Sequence, residues 1–293
     1  MTQFTEEFDS LTRTTLSGEL GRRDFIKVAL GTGFAAAVLP VQAQHVITTD
    51  SVGLSAGQVT LTIGGQSMPM YRAQPADGKD FPVILVVSEI FGVHEHIADV
   101  ARRFAKQGYM ALAPELFVRQ GDAHHAPSIP ELMKNIIAKV PDAQVMGDLD
   151  ACVAWAKANG GNTDKLGITG FCWGGRITWL YCAHNPAVKA GVAWYGRLVG
   201  DKTALTPQHP LDIAPTLKAP VLGLYGGKDN GIPLDTVEKM KAALAQGGNR
   251  SEFVVYPDAG HAFHADYRPS YVEADAKDGW RRALAWFKAH GVA

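Results

Sequence analysis

The sequence predicts an α/β fold: a mostly parallel central sheet with helices on both faces. Three observations predict it. Short runs rich in Val, Ile and Leu recur along the chain between Gly, Pro and Asp signals. Longer stretches with apolar residues three and four positions apart alternate with them. Runs such as FPVILVVSE at 81–89 lack the in-out alternation of a half-exposed strand, as expected of a strand covered on both faces.

The elements follow in order. QVTLTI (58–63) and MPMYRA (68–73) flank the turn GGQS and read as a hairpin. After the 81–89 strand, Ile97, Val100, Ala101 and Phe104 mark a helix over 97–107 that Gly108 stops. YMALAPEL (109–116) returns as a strand, and Val145, Leu149, Cys152, Val153 and Ala156 form one face of a helix over 143–158. KLGITGF (165–171) is a strand that runs into GFCWGG, with RITWLYCAHN (176–185) helical after it. VKAGVAWYG, APVLGLYGG and EFVVYPDAG are three further strands, separated by a Pro-rich loop and then by a helix at 234–246. A helix over 274–290 ends the chain. Strands alternating with helices imply right-handed crossovers, and chemistry then collects at the carboxyl ends of the strands.

Composition bounds the function. The 293 residues are 46% hydrophobic and 19% charged, enough to bury a large core. A formal net charge of −1 and the lack of a polybasic run make nucleic acid an unexpected partner. The first residues differ in kind. GRRDFIKVALGTGFAAAVLPVQAQ carries paired Arg22 and Arg23 ahead of a weakly apolar run at 28–39. That run is too short for the roughly 20 residues of a spanning helix. The stretch resembles a twin-arginine export signal, with Val41 and Ala43 as small residues before Gln44. Residues 1–43 are therefore expected to be a signal peptide and 44–293 one α/β domain. The export machinery would be a partner, the periplasm the destination, and no stable membrane insertion would follow cleavage. An amphipathic N-terminal helix or an uncleaved anchor are the alternative readings.

Three cysteines, Cys152, Cys172 and Cys182, have no CxxC spacing and imply neither a disulfide framework nor a zinc cluster. Cys172 stands apart. A strand, then Gly-x-Cys-x-Gly-Gly, then a helix is the context of a nucleophile elbow, with Gly170 and Gly174 removing side chains that would collide in the turn. The helix start directs unpaired N–H groups at the sulfur and favours a thiolate. The bland alternative, a packed structural thiol, suits Cys152 and Cys182 better because both fall inside helices. An acid and a histidine follow in the chain order this fold uses. Asp229 sits after the strand ending at Tyr225, and His261 after the strand ending at Tyr256. Cys172 is expected as nucleophile, His261 as general acid/base and Asp229 as the carboxylate orienting the imidazole. Asp258 is a rival acid better suited to shaping the turn, and His264 is read as pocket-lining or exposed. The oxyanion hole should combine the backbone N–H groups of Trp173 and Ile90.

VVSEIFGVH, APELFVRQG, GITGFCWGG, GGKDNGIP and YPDAGHAF, in this order, resemble the dienelactone hydrolase (carboxymethylenebutenolidase) family, which has the α/β-hydrolase fold. The resemblance covers nearly all of 44–293. It implies Cys172, Asp229 and His261 as the catalytic residues. It also implies that Glu89 takes the thiol proton when substrate binds, a loop-holding role being the alternative. The family's substrates are lactones and enol esters bearing a carboxylate, bound with the help of arginines. This chain departs from that pattern at Ala265, where a substrate arginine is expected. Tyr195 and Arg197 in WYGRL, Arg119, and Arg268 are the candidates to meet the substrate instead.

The expected reaction is hydrolysis of a small ester or lactone through a thioester. A broader carboxylesterase, a peptidase-like hydrolase and a thiol sensor without turnover are the competing readings. HEH at 94–96 and HH at 124–125 lack a convincing metal-ligand spacing, and no dinucleotide or phosphate-loop motif occurs. No metal and no cofactor are expected.

Overall fold

The computed structural model describes residues 46–293; the expected signal segment, 1–43, and Gln44 lie outside the described residues. β1 (Leu54–Ile63) and β2 (Gln66–Pro75) form the expected antiparallel hairpin, turning at Gly64 and Gly65, both at positive φ. The other strands are β3 (Phe81–Val87), β4 (Met110–Pro114), β5 (Gly161–Phe171), β6 (Val188–Trp194), β7 (Val221–Gly226) and β8 (Glu252–Tyr256). They build one sheet in the order β1-β2-β4-β3-β5-β6-β7-β8. β2 pairs antiparallel with β4, and every pairing from β4 to β8 is parallel.

The helices are α1 (Glu95–Lys106), α2 (Ile129–Asn135), α3 (Asp142–Ala158), α4 (Trp173–His184), the single turn α5 (Pro210–Ile213), α6 (Leu234–Gln246) and α7 (Glu273–Ala289). Every residue of β7, and all but one of β6, is buried. Successive residues of a strand point to opposite faces, so the centre of the sheet is covered on both. Phe104 of α1 meets Trp280 and Phe287 of α7 at ring-centroid distances of 4.5 and 6.1 Å, joining the two helices across apolar surface.

Two of the departures from the sequence pattern have a visible local cause. β5 begins at Gly161, ahead of its apolar run, because Phe81 and Pro82 pair with Gly161 and Asn162 before a bulge shifts the register. Strand pairing, not hydrophobicity, extends it there. α2 is too short to show a periodicity; Ser128 caps it by accepting from the Glu131 N–H at 3.3 Å.

A buried ion pair fixes the entry to α4. Arg176 donates from both Nη atoms to the two Asp142 carboxylate oxygens at 2.7 Å each, and from Nε to His209 Nδ1 at 3.2 Å. Burial pushes His209 below its usual pKa, which leaves Nδ1 free to accept.

Candidate active site

β3, β5, β6, β7 and β8 are neighbours and parallel, so their carboxyl ends share one edge. Glu89, Cys172, Tyr195, Asp229 and His261 follow these five strands in turn.

Cys172 occupies a sharp turn between β5 and α4 at φ 54° and ψ −114°, a conformation that costs a non-glycine residue about 1–3 kcal/mol. Its N–H donates to Trp194 O at 3.0 Å, and its own carbonyl accepts from Gly175 and Arg176. The glycines are required by space. A Cβ on Gly170 would lie 2.2 Å from Gly174 O, and one on Gly174 would lie 2.3 Å from Val87 O. The elbow is therefore pressed against the end of β3, which leads into Glu89 and Ile90. The backbone N–H groups of Ile90, on the loop after β3, and Trp173 show no hydrogen-bond acceptor among the described residues; Trp173 is the first residue of α4, where an N–H normally lacks one. Cys152 and Cys182 are also buried, inside α3 and α4, and burial pushes both thiols well above their usual pKa.

The loop after β8 folds back over the end of β7. Lys228 N–H donates to Ala259 O at 2.9 Å, and a Cβ on Gly226 would meet the Ala259 and Gly260 carbonyl oxygens at 2.6 Å. This brings His261 Nδ1 to 2.7 Å from Asp229 Oδ2. A carboxylate only accepts, so Nδ1 carries the hydrogen and Nε2 faces away from the acid. Asp229 Oδ1 accepts in turn from Gly231 N–H at 2.9 Å. Burial alone would lower the His261 pKa; the charge of Asp229, and after it the Cys172 sulfur, outweigh burial and hold it well above the usual value. His261 Nε2 is buried without a hydrogen-bond partner. Asp258 is exposed and paired with Lys228 at 2.7 Å, which leaves Asp229 as the acid bonded to His261.

Glu89 is buried, and its Oε2 accepts from His94 Nε2 at 3.3 Å while Oε1 has no partner. Burial alone would raise its pKa; His94, and more weakly His96, outweigh that and bring it below the usual carboxylate range. The hydrogen bond of Glu89 is thus to His94, a residue the sequence had offered only as part of a metal-like cluster. Tyr195, at φ 39°, packs its ring 5.1 Å from His261. Tyr267 packs 4.9 Å from His94. Both tyrosine hydroxyls are buried without partners, and burial, reinforced by Glu89, pushes both pKa values well up, so they remain protonated donors. Tyr267 left no signal in the sequence beyond lying near His261.

The arginines divide. Arg119 is engaged bidentately by Asp148 of α3, at 2.6 and 2.8 Å, so its fork is committed within the fold. Arg197 is half-buried on the loop after β6. Arg268 is half-buried with its guanidinium 5.5 Å from the Phe91 ring, and its positive charge acts on both Tyr195 and Tyr267. Ala265 is fully buried.

The histidine clusters pair with carboxylates. His96 Nδ1 lies 3.1 Å from Asp266 Oδ1, His124 Nε2 2.7 Å from Glu115 Oε1, and His125 Nδ1 2.7 Å from Asp122 Oδ2. Among the described residues no group of three His, Cys, Asp or Glu is arranged to hold a metal ion. His264 is buried rather than exposed, its ring 4.4 Å from Trp194 and 5.1 Å from Phe171, and burial keeps it neutral by lowering its pKa. Glu115 has a structural use: its Oε1 also accepts from Val93 N–H at 3.0 Å, bracing the loop that carries Glu89 and Ile90.

Comparison with known proteins identifies the family of the chain. The model of the dienelactone hydrolase family matches residues 68–291. A protein of Methylorubrum extorquens named "Putative carboxymethylenebutenolidase" is 61% identical over 295 residues, covering 100% of both chains. One of the same name from Escherichia coli K12 is 55% identical over 261 residues, 88% of this chain and 96% of that one. The crystal structure of a Klebsiella pneumoniae protein described as a "Putative Dienelactone Hydrolase" is 57% identical, with a TM-score of 0.79 over 80% of this chain and 98% of that one. An elbow at the end of β5, an acid and a histidine at the ends of β7 and β8, and a family match spanning nearly the whole described sheet lead to one conclusion: the chain belongs to the dienelactone hydrolase family.

Proposed function

We propose that this carboxylic ester hydrolase cleaves small esters or lactones with Cys172 as nucleophile, His261 as general acid/base and Asp229 as the group that orients the imidazole. The observation that carries the reading is the 2.7 Å bond from His261 Nδ1 to Asp229, with Nε2 left unpartnered in the neighbourhood of a thiol on a strained elbow. In the first step Cys172 Sγ, as thiolate, adds to the substrate carbonyl. The resulting oxyanion is taken by the N–H groups of Ile90 and Trp173. Collapse of the tetrahedral species releases the alcohol or enol, which takes its proton from His261, and leaves a thioester. Water, deprotonated by His261 Nε2, then attacks the thioester; the C–S bond breaks and the thiolate is restored. Tyr195, Tyr267 and Arg268 supply donors and a positive charge, which suits a substrate bearing an anionic group.

Turnover of p-nitrophenyl acetate and of a panel of lactones by the wild type and by Cys172→Ala tests this. The substitution should abolish hydrolysis. Equal rates in the two proteins would remove the nucleophile from the proposal.

We further propose export to the periplasm through the twin-arginine pathway, on the pattern of Arg22, Arg23 and the apolar run at 28–39. Replacing both arginines by lysine and fractionating cells should leave the protein in the cytoplasm. Unchanged periplasmic delivery would dismiss the pathway.

A further inference from the structure

A cavity of about 390 Å³ lies between the β1–β2 hairpin and the segment after β4. Small-molecule sites typically span roughly 300–1,000 Å³, so the space is adequate for one. None of the residues proposed for catalysis lines it, but Val93 and Phe117 do, and each adjoins the active site. Val93 is on the loop that carries Glu89 and Ile90, and the Phe117 ring packs against that of Trp173 at 4.7 Å. Buried Met70 of β2, Phe117 and Ala123 supply an apolar wall.

Two polar groups in the lining are incompletely used. Glu115 Oε1 accepts from His124 Nε2–H at 2.7 Å and from Val93 N–H at 3.0 Å, whereas Oε2 accepts from no described residue. His124 Nδ1 likewise has no partner among the described residues. Both side chains are partly accessible, 19% for Glu115 and 32% for His124. Gly92 keeps room for them: a Cβ there would lie 2.7 Å from Glu115 Oε2 and 3.0 Å from His124 Nε2. Asp122, the other acid of the lining, is committed, one oxygen accepting from His124 N–H at 2.9 Å and the other 2.7 Å from His125 Nδ1. The bond to Glu115 raises the His124 pKa against the effect of burial, so at pH 6 the ring is charged and Nδ1–H is a donor. The lining then offers an acceptor on an anion and a donor on a cation, and the two charges cancel.

We infer that this cavity is a second binding site, for an uncharged alcohol with a compact apolar body. A hydroxyl both donates and accepts, so it can meet either Glu115 Oε2 or His124 Nδ1–H. An ammonium group only donates and is repelled by the imidazolium; a carboxylate only accepts and is repelled by Glu115. The apolar body replaces water against Met70, Phe117 and Ala123. An alcohol is also what a carboxylic ester hydrolase releases, so the site takes the chemical class of one of the enzyme's own products. The inference stands apart from the choice of Cys172 as nucleophile.

The test is a ligand-observed NMR titration of the full chain at pH 6 with benzyl alcohol, benzylamine and benzoate, probes matched in size and different in charge. Benzyl alcohol should bind with a dissociation constant of about 1 mM or below, and the two charged probes about tenfold more weakly, a ratio set by one hydrogen bond to a charged group. Ala123→Leu, which fills the cavity from a buried position, should abolish alcohol binding. Glu115→Gln removes the charge that repels a carboxylate, so benzoate should gain about tenfold relative to benzyl alcohol. Each variant is checked for folding by its thermal transition, and if Ala123→Leu does not fold, the preference of Glu115→Gln decides. Absence of alcohol binding in the wild type, equal binding of the three probes, or wild-type affinity in folded Ala123→Leu overturns the proposal, as does an unchanged preference in Glu115→Gln. The titration contains no ester, so hydrolysis at the wild-type rate by Cys172→Ala, which removes the nucleophile, leaves the binding result standing.

Discussion

Substituting Gly174 by alanine tests whether the elbow is built as the geometry requires. The new Cβ would lie 2.3 Å from Val87 O, 2.6 Å from Ser88 O and 2.7 Å from Val87 C, where ordinary contact begins at 3.4 Å. All three are backbone atoms, so no side chain can rotate away. Relief requires the end of β3 or the start of α4 to move by roughly 1 Å, and overpacking of this kind costs about 1–3 kcal/mol. In a domain of this size each kcal/mol lowers Tm by about 2–4 °C, so a fall of roughly 2–12 °C is expected in a circular dichroism melt. The same movement separates Cys172 from Ile90 and Glu89, and a misplacement near 1 Å is enough to lose about 100-fold in kcat/KM with p-nitrophenyl acetate. Gly147 is the internal control. It lies exposed within α3 with nothing within 4 Å of its Cβ position, so Gly147→Ala should gain about 0.5–1 kcal/mol from helix propensity and leave turnover unchanged. If Gly174→Ala melts and turns over like the wild type, the close approach of β3 and α4 is refuted.

Two further outcomes follow from the buried charges. Asp229→Asn removes the charge that keeps the buried His261 protonated, and kcat should fall on the order of 10⁴-fold. The His261 pKa is raised in the folded state, so its contribution to stability is complete below the unfolded value of about 6.5 and is lost as pH rises through the folded value. Melting temperatures measured from pH 6 upward should therefore decline in the wild type more steeply than in Asp229→Asn; parallel curves would disprove the linkage. Arg176→Met leaves the Asp142 carboxylate buried without its two 2.7 Å donors and should cost about 3–5 kcal/mol in urea unfolding. Adding Asp142→Leu should recover part of that loss, but not the donors to His209 and Gln208 O. A single variant as stable as wild type would contradict the burial of this pair.

The sequence by itself determined the order of the main strands and helices, the parallel centre of the sheet and the positions of Glu89, Cys172, Asp229 and His261 at the ends of four of its strands. These are local facts. Continuous Val, Ile and Leu runs report burial on both faces, and Gly170 and Gly174 around Cys172 report a turn with no room for side chains. Tertiary structure decided what the local pattern does not contain: which groups meet. Asp258 lies closer to His261 in sequence than Asp229 does, yet the loop after β8 folds back over β7 and turns Asp258 out to Lys228. Arg119 reads as a free cation until α3 brings Asp148 against it. β5 gains its first residues only because Phe81 and Pro82 pair there. His94 was visible as one histidine of a cluster, but its bond to Glu89 depends on how the loop between β3 and α1 packs under Tyr267. Periodicity reports which face of an element is buried; the partner of a charged group depends on where a second segment, distant in sequence, comes to rest.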